Sequence, residues 1–470
     1  MNIDDNNFHL FKYRDKSFLF GVNSLYVFEV DDMAFDVLSF SHRLSEGEIV
    51  QRLADKYDSE QLRSVHEEWV KIQPTLASHE EPESEEDIRK YINRLIRKIS
   101  SDITLTISQK CNLGCRYCYA QGGTFGLDEG LMSEEVVLRS VDYLMEQTDG
   151  IDHVGIIFFG GEPLINFKLL RKVVEYSQDV GRKLNKRVSY SMTTNATLLT
   201  EEIVDFIQRY RFGLKISLDG PSEVQDYFRP FQNGRGTYEI TERKVKILMA
   251  KRRSVSARPT LIHQNLAINK HVEFFEKLGF TRVGFGIATG RSFHKSAYDL
   301  TEEDLNIVLT EDEIAAENIF QRISQGRRTI YNPFEEGVRD IHERRRIRIR
   351  CGLGRGCRTV SINGEFYPCH RFVGMEKYII GDIYSGIDKG KVFDMLRNYY
   401  RTKDACQKCW AKHICGGACP WYVAHEDGSF RYPDRAHCNS VRASLEQSMW
   451  FYQEIKNRFP DYFKKLVSEE

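Results

Sequence analysis

A chain of 470 residues exceeds one ordinary core and implies two or three domains. Its formal net charge of −1 excludes a global basic field for nucleic acid or an anionic membrane. The start Met1-Asn2-Ile3-Asp4-Asp5 has neither a basic region nor an apolar stretch, and no apolar run is long enough to span a bilayer, so a cytoplasmic location is expected. In that compartment the 11 cysteines are expected to be metal ligands or catalytic groups rather than disulfides.

In chain order, Phe8–Phe20 and Val22–Val30 are rich in Phe, Tyr and Val and predict strands joined by a tight turn. Three short helices follow, one opened by the capping box Ser45-Glu46-Gly47-Glu48. Leu62, Val65, Trp69 and Ile72 recur at helical spacing and read as core. Residues 76–99 read as a solvated linker, because His79–Asp87 is acidic and contains Pro82.

From 100 to 335 strands and helices alternate. Ile103–Ser108, His153–Phe159, Arg187–Thr194, Phe212–Leu218, Val255–Ile262 and Arg282–Ile287 read as strands. Ser133, Thr200 and Thr301 cap helices between and after them. Strand–helix alternation implies parallel strands with right-handed crossovers, hence an α/β fold with its site at the C-terminal strand ends. The run Cys111-Asn112-Leu113-Gly114-Cys115-Arg116-Tyr117-Cys118 follows the first strand and lands on that face. Its C-x3-C-x2-C spacing offers three thiolates on one loop, one fewer than a four-iron cube takes, which leaves one iron open. Half a zinc site and ordinary buried thiols are the alternatives. Gly160-Gly161-Glu162-Pro163 follows the second strand, Thr193-Thr194-Asn195 ends the third and Ser217-Leu218-Asp219-Gly220 the fourth.

Residues 336–350 form a bridging segment whose run Arg344-Arg345-Arg346-Ile347-Arg348-Ile349-Arg350 reads as a solvated face; nucleic acid and acidic residues of a peptide substrate are the alternative contacts. Residues 351–440 hold the remaining cysteines as Cys351-x5-Cys357-x11-Cys369, then Cys406-x2-Cys409-x5-Cys415-x3-Cys419-x18-Cys438. Eight thiolates are the number that closes two further four-iron clusters or two zinc sites. His370, His413 and His437 stand beside or near them as alternative ligands. A C-terminal helix is expected over 441–470.

These motifs resemble the radical S-adenosylmethionine (SAM) enzymes, and the C-terminal cysteines resemble the SPASM extension of its peptide-modifying members. The resemblance implies a partial (β/α)6 barrel, with Cys111, Cys115 and Cys118 holding the SAM-binding [4Fe-4S] cluster. It places Tyr117, Gly160, Gly161, Glu162, Pro163, Thr194, Asn195, Ser217, Arg229 and Ile287 around SAM: Glu162 on its amino group, Arg229 on its carboxylate, Asn195 and Ser217 on ribose or methionine, and Gly284, Gly286 and Ile287 beside adenine. Cys351, Cys357, Cys369 and Cys419 would hold one auxiliary cluster, and Cys406, Cys409, Cys415 and Cys438 the other. Many thioether-forming relatives lack a cysteine at the position of Cys357, so it is either a fourth ligand or a spare thiol. Residues 1–75 resemble the winged-helix peptide-recognition domain of precursor-peptide maturases, in which an exposed strand edge takes the leader. The implied activity is installation of cysteine thioether cross-links in a ribosomally made precursor peptide, with an electron donor such as flavodoxin or ferredoxin and without nucleic-acid or membrane partners. Carbon–carbon or carbon–oxygen cross-linking is the neighbouring possibility, and a zinc-stabilised peptide- or nucleic-acid-binding protein the non-enzyme one.

Overall fold

The computed structural model describes residues 3–4, 7–76, 84–97, 100–251, 254–288, 290, 296–353 and 358–468. The chain opens with β1 (Ile3–Asp4), β2 (Phe8–Tyr13), β3 (Lys16–Gly21) and β4 (Val27–Val30), which form one antiparallel sheet in that order. The turn between β2 and β3 falls at Arg14, whose φ is 54°, so the hairpin turn lies inside the first predicted strand. Helices α1 (Asp32–Phe40), α2 (Glu46–Leu53) and α3 (Ser59–Leu76) follow, and the Ser45–Glu48 capping box forms as expected. Leu62 and Trp69 are buried as predicted, but Ile72 is 41% exposed and is not core.

Where a linker was expected, α4 (Glu85–Arg97) forms. Ile92 and Leu95 on one of its faces join the central core, and burying that stripe outweighs the acidity of its first turn. Residues 77–83 of that stretch lie outside the described residues.

The central sheet begins with β5 (Asp102–Ser108), α5 (Glu134–Gln147), β6 (His153–Gly160), α6 (Phe167–Lys183), β7 (Arg187–Thr194), α7 (Glu201–Arg209) and β8 (Gly213–Ile216). It continues through α8 (Ser222–Phe228), α9 (Tyr238–Lys251), β9 (Ser256–Ala257), β10 (Thr260–Leu261), α10 (Ile268–Lys277), β11 (Arg282–Val283) and β12 (Gly286–Ile287). Strands β5, β6, β7, β8, β9 and β11 pair in parallel, each with the next. The last two predicted strands are each broken in two. Pro259 lacks the N–H a ladder needs, and beyond it β10 pairs with β12 instead. Leu214 and Ile216 of β8 enter the core with α6, α7 and α9, whereas Lys215 between them takes the other face.

Helices α11 (Glu302–Ser324) and α12 (Glu335–His342) lead to β13 (Thr359–Val360), which pairs in parallel with β5, and β14 (Phe366–Tyr367), antiparallel to β13. The extension therefore continues the central sheet instead of standing apart, and Val360, Phe366 and Phe372 share the core of Leu105 and Phe158. After β15 (Gly381–Asp382), β16 (Gly386–Ile387), α13 (Lys389–Arg401) and α14 (Pro420–Val423) come α15 (Arg435–Arg458) and α16 (Pro460–Ser468). A second core joins Phe11, Phe18 and Phe20 of the N-terminal sheet to Trp410, Phe334 and Phe451. Among the described residues no helix is long and apolar enough to cross a membrane.

Candidate active site

The loop carrying Cys111, Cys115 and Cys118 leaves the C-terminal end of β5 and is fastened to the end of α8 and the segment that follows it. Gly114 N donates to Pro230 O at 2.8 Å and Arg116 N to Phe228 O at 3.0 Å. Gln232 Nε2 donates to Cys111 O at 2.7 Å. Beneath it the glycines of Gly160-Gly161 allow close backbone packing: a Cβ on Gly160 (φ +136°) would sit 2.2 Å from Ser108 O, and one on Gly161 2.5 Å from Lys110 O. That space is filled by the cysteine loop, so the small residues serve protein packing here.

Glu162 is 1% exposed and fully engaged. Its Oε1 accepts from Thr194 Oγ1 (2.7 Å) and Leu164 N (3.1 Å), and its Oε2 from Asn195 N (2.8 Å), which ties the end of β6 to that of β7. Burial pushes its carboxyl up to about 6 against these donors. Asn195 turns toward the cysteine loop: Nδ2 donates to Asn112 Oδ1 at 2.9 Å and lies 3.9 Å from Cys111 Sγ. Asn112 Nδ2 in turn donates to Thr197 Oγ1 at 2.8 Å.

Arg229 points at protein. Its Nε lies 2.9 Å from Asp219 Oδ2, and its guanidinium stands 5.3 Å from the Tyr117 ring centre. Asp219, fully buried, also accepts from the Tyr117 hydroxyl and from Thr260 N (2.9 Å). Asp219 thus joins the cysteine loop, the end of β8 and the start of β10. Ser217 N donates to Thr194 O at 2.9 Å. Ile287 in β12 is 40% exposed at the far strand end, and Pro163 is buried.

Burial pushes the Cys111 thiol up to about 11 and the Cys115 thiol up to about 12. Both need a strong positive partner to ionise, as iron supplies. Three soft thiols on one loop suit a cluster with three protein ligands. Among the described residues no three His, Cys, Asp or Glu side chains converge as a single metal ion requires.

The C-terminal cysteines fall on separate short elements. Cys406 and Cys409 bracket one turn, with Cys409 N donating to Cys406 O at 2.8 Å, while Cys438 rides the first turn of α15, capped by Asp434. Burial raises the Cys438 thiol to about 11. Cys351 and Cys419 are both exposed, and beside Cys419 the carbonyl of Ala418 accepts from the hydroxyl of the buried Tyr399 at 2.6 Å. Cys357 lies outside the described residues. His370, 4.3 Å from Phe159 between ring centres, is held neutral by burial, with its pKa near 3; burial also lowers the pKa values of His413 and His437.

Sequence reasoning passed over the face of β8 and β9 turned from the helices. Lys215 lies there, and Arg258 directly follows β9. Arg258 Nη1 donates to Gly284 O (2.9 Å) and Phe285 O (2.7 Å). The alternation Leu214-Lys215-Ile216-Ser217 carried that signal.

Residues 105–275 match the model of the Radical SAM superfamily. This stretch is a radical SAM domain. Over 186 residues the chain is 30% identical to an uncharacterized Methanocaldococcus jannaschii protein, spanning 39% of this chain and 62%, under two thirds, of that one. It is 24% identical to the cysteine-type anaerobic sulfatase-maturating enzyme of Clostridium perfringens, over 66% of this chain and 86% of that one. The radical SAM cyclopropyl synthase TigE of Paramaledivibacter caminithermalis is 21% identical over 94% of this chain and 93% of its own. In fold, the radical SAM domain and its surroundings resemble native anSMEcpe with bound AdoMet (TM-score 0.63, 20% identity, 77% of this chain and 99% of that one). Streptococcus suis SuiB bound to its precursor peptide SuiA is also similar (TM-score 0.53, 15% identity, 93% of this chain and 99% of that one).

Proposed function

We propose that this chain is a radical SAM maturase of a ribosomally made precursor peptide, and that its product is a cysteine thioether cross-link. The observation that carries the reading is the loop of Cys111, Cys115 and Cys118 at the end of β5, inside the radical SAM domain. A four-iron cluster would be held by Cys111, Cys115 and Cys118, and it would supply the reductive cleavage of SAM that yields a hydrogen-abstracting radical. The chain's own residues set the place for it. Glu162, Asn195 and Asp219 fix the three strand ends around the loop. Tyr117, Gly160, Gly161, Pro163, Thr194, Ser217, Arg229 and Ile287 complete the proposed SAM border.

The outer edge of β4, where Tyr26 precedes the strand and Phe28 lies within it, both partly exposed, is the proposed seat of the leader peptide. Cys351, Cys369 and Cys419, with or without Cys357, and the set Cys406, Cys409, Cys415 and Cys438 are the proposed auxiliary-cluster ligands. The similarity to TigE over nearly the whole chain favours one second reading, carbon–carbon bond formation in the same kind of substrate.

The test is anaerobic reconstitution with iron and sulfide, then SAM, a reductant and the precursor peptide. About twelve irons per chain and 5′-deoxyadenosine formation are expected; zinc without iron sinks the enzyme reading. A peptide that loses a hydrogen pair per site while its thiols become inert to alkylation establishes the thioether. The same loss with free thiols moves the bond to carbon or oxygen.

A further inference from the structure

Tyr119 stands one residue beyond Cys118, and its hydroxyl oxygen is buried without a hydrogen-bond partner. Buried phenols ordinarily find one. The ring is clamped: the Arg371 guanidinium lies 4.9 Å from its centre, Trp421 meets it edge-on at 5.9 Å and Phe125 at 6.2 Å. Arg371 also covers Trp421 at 4.8 Å. The backbone is drawn in at Gly374 (φ +86°), where a Cβ would meet Phe125 O at 2.3 Å. The loop after Cys118 thus locks against the segment after Cys369. Arg371 offers only donors, so it cannot receive the hydroxyl proton. His370, the residue after Cys369, also packs on the ring with centres 6.2 Å apart, so the clamp includes the two residues that follow Cys369, and Cys118 is the chain neighbour on the other side.

We propose that the Tyr119 hydroxyl donates a hydrogen bond to a sulfur of the iron–sulfur group held through Cys369, and so raises that group's reduction potential. The inference rests on the reading of Cys369 as a cluster ligand. A hydrogen bond to a cluster sulfur favours the more negative, reduced state, and such bonds are among the terms that set cluster potentials. Tyr119 is then a positioning residue that acts through the cluster.

The experiment uses the full-length protein with Tyr119→Phe and Trp421→Phe, each reconstituted anaerobically and analysed for iron and sulfide. Midpoint potentials are read by EPR-monitored redox titration, and added SAM marks the signal of the SAM-binding cluster. Tyr119→Phe is expected to keep wild-type iron while one auxiliary signal titrates at lower potential. Trp421→Phe, which keeps the hydroxyl, is expected to titrate with the wild type. An unchanged potential in Tyr119→Phe overturns the inference. An equal shift in both variants also overturns it, by assigning the effect to packing. A shift confined to the SAM-binding signal overturns it by moving the bond to Cys118. Wild-type protein that holds only about four irons removes the auxiliary-cluster reading itself.

Discussion

One carboxylate holds three parts of the site in register. Asp219 accepts from the half-buried Tyr117 and Thr260 and sits 2.9 Å from Nε of the buried Arg229. Asp219→Asn leaves the buried guanidinium without its counter-charge, which costs about 3–5 kcal/mol; urea unfolding of the apoprotein measures it, and a change under about 1 kcal/mol refutes the hub role. Glu162 gives a pH signature. Its folded pKa of about 6 is raised above its unfolded value of 4.5. The folded state therefore binds the proton more tightly, and this contribution is full below pH 4.5 and is lost as pH rises through 6. The loss approaches ~2 kcal/mol. Glu162→Gln abolishes it, so wild-type stability falls relative to the variant between pH 4.5 and 7; parallel curves contradict the assignment. The sequence singled out Tyr117, Glu162, Asn195 and Arg229 as ligand-facing residues. Their mutual bonds were illegible because the partners are far apart in the chain, 102 positions for Tyr117 and Asp219.

Among the elements, the parallel strands and several helix starts were readable from local pattern, since Ser133, Thr200 and Thr301 each accept from a first-turn amide. Helix α4 was hidden by composition: an acidic opening masked Ile88, Ile92 and Leu95 at helical spacing. Ile92→Ala is expected to cost about 2–5 kcal/mol by leaving a cavity against α13 and the core. Exposed Glu85, which pairs with Arg397 and Arg401, carries little by comparison. Equal effects of Ile92→Ala and Glu85→Ala in denaturant titrations contradict a packed α4. The breaks at Pro259 and Gly284 escaped a reading that followed β-branched and aromatic runs alone.

At the scale of the molecule, the N-terminal sheet is docked through side chains from distant segments. His9 stacks on Trp410 with ring centres 3.9 Å apart and bonds Glu446 at 2.9 Å. Arg346 Nη2 donates to Asn23 O and Arg344 Nη1 to Tyr26 Oη, both at 2.5 Å. The basic run is thus partly spent on joining the sheet to the extension, a use that charge patterning alone does not reveal. Trp410→Ala should cost about 3–5 kcal/mol and speed protease cleavage between the N-terminal sheet and α4; an unchanged digestion pattern speaks against the docking.

The pairing of β13 with β5 also has a meaning for synthesis on the ribosome. The N-terminal portion emerges first, and β5 finds β6 within some fifty residues, yet its other edge waits for Thr359 and Val360. At about 5–20 residues per second that wait lasts on the order of ten seconds or more. Throughout it the strand that leads into Cys111 presents an open row of amides and carbonyls, which invites wrong pairing. The nascent chain thus has a window in which its most valuable loop is also its least protected, and slow elongation through residues 109–358 lengthens it.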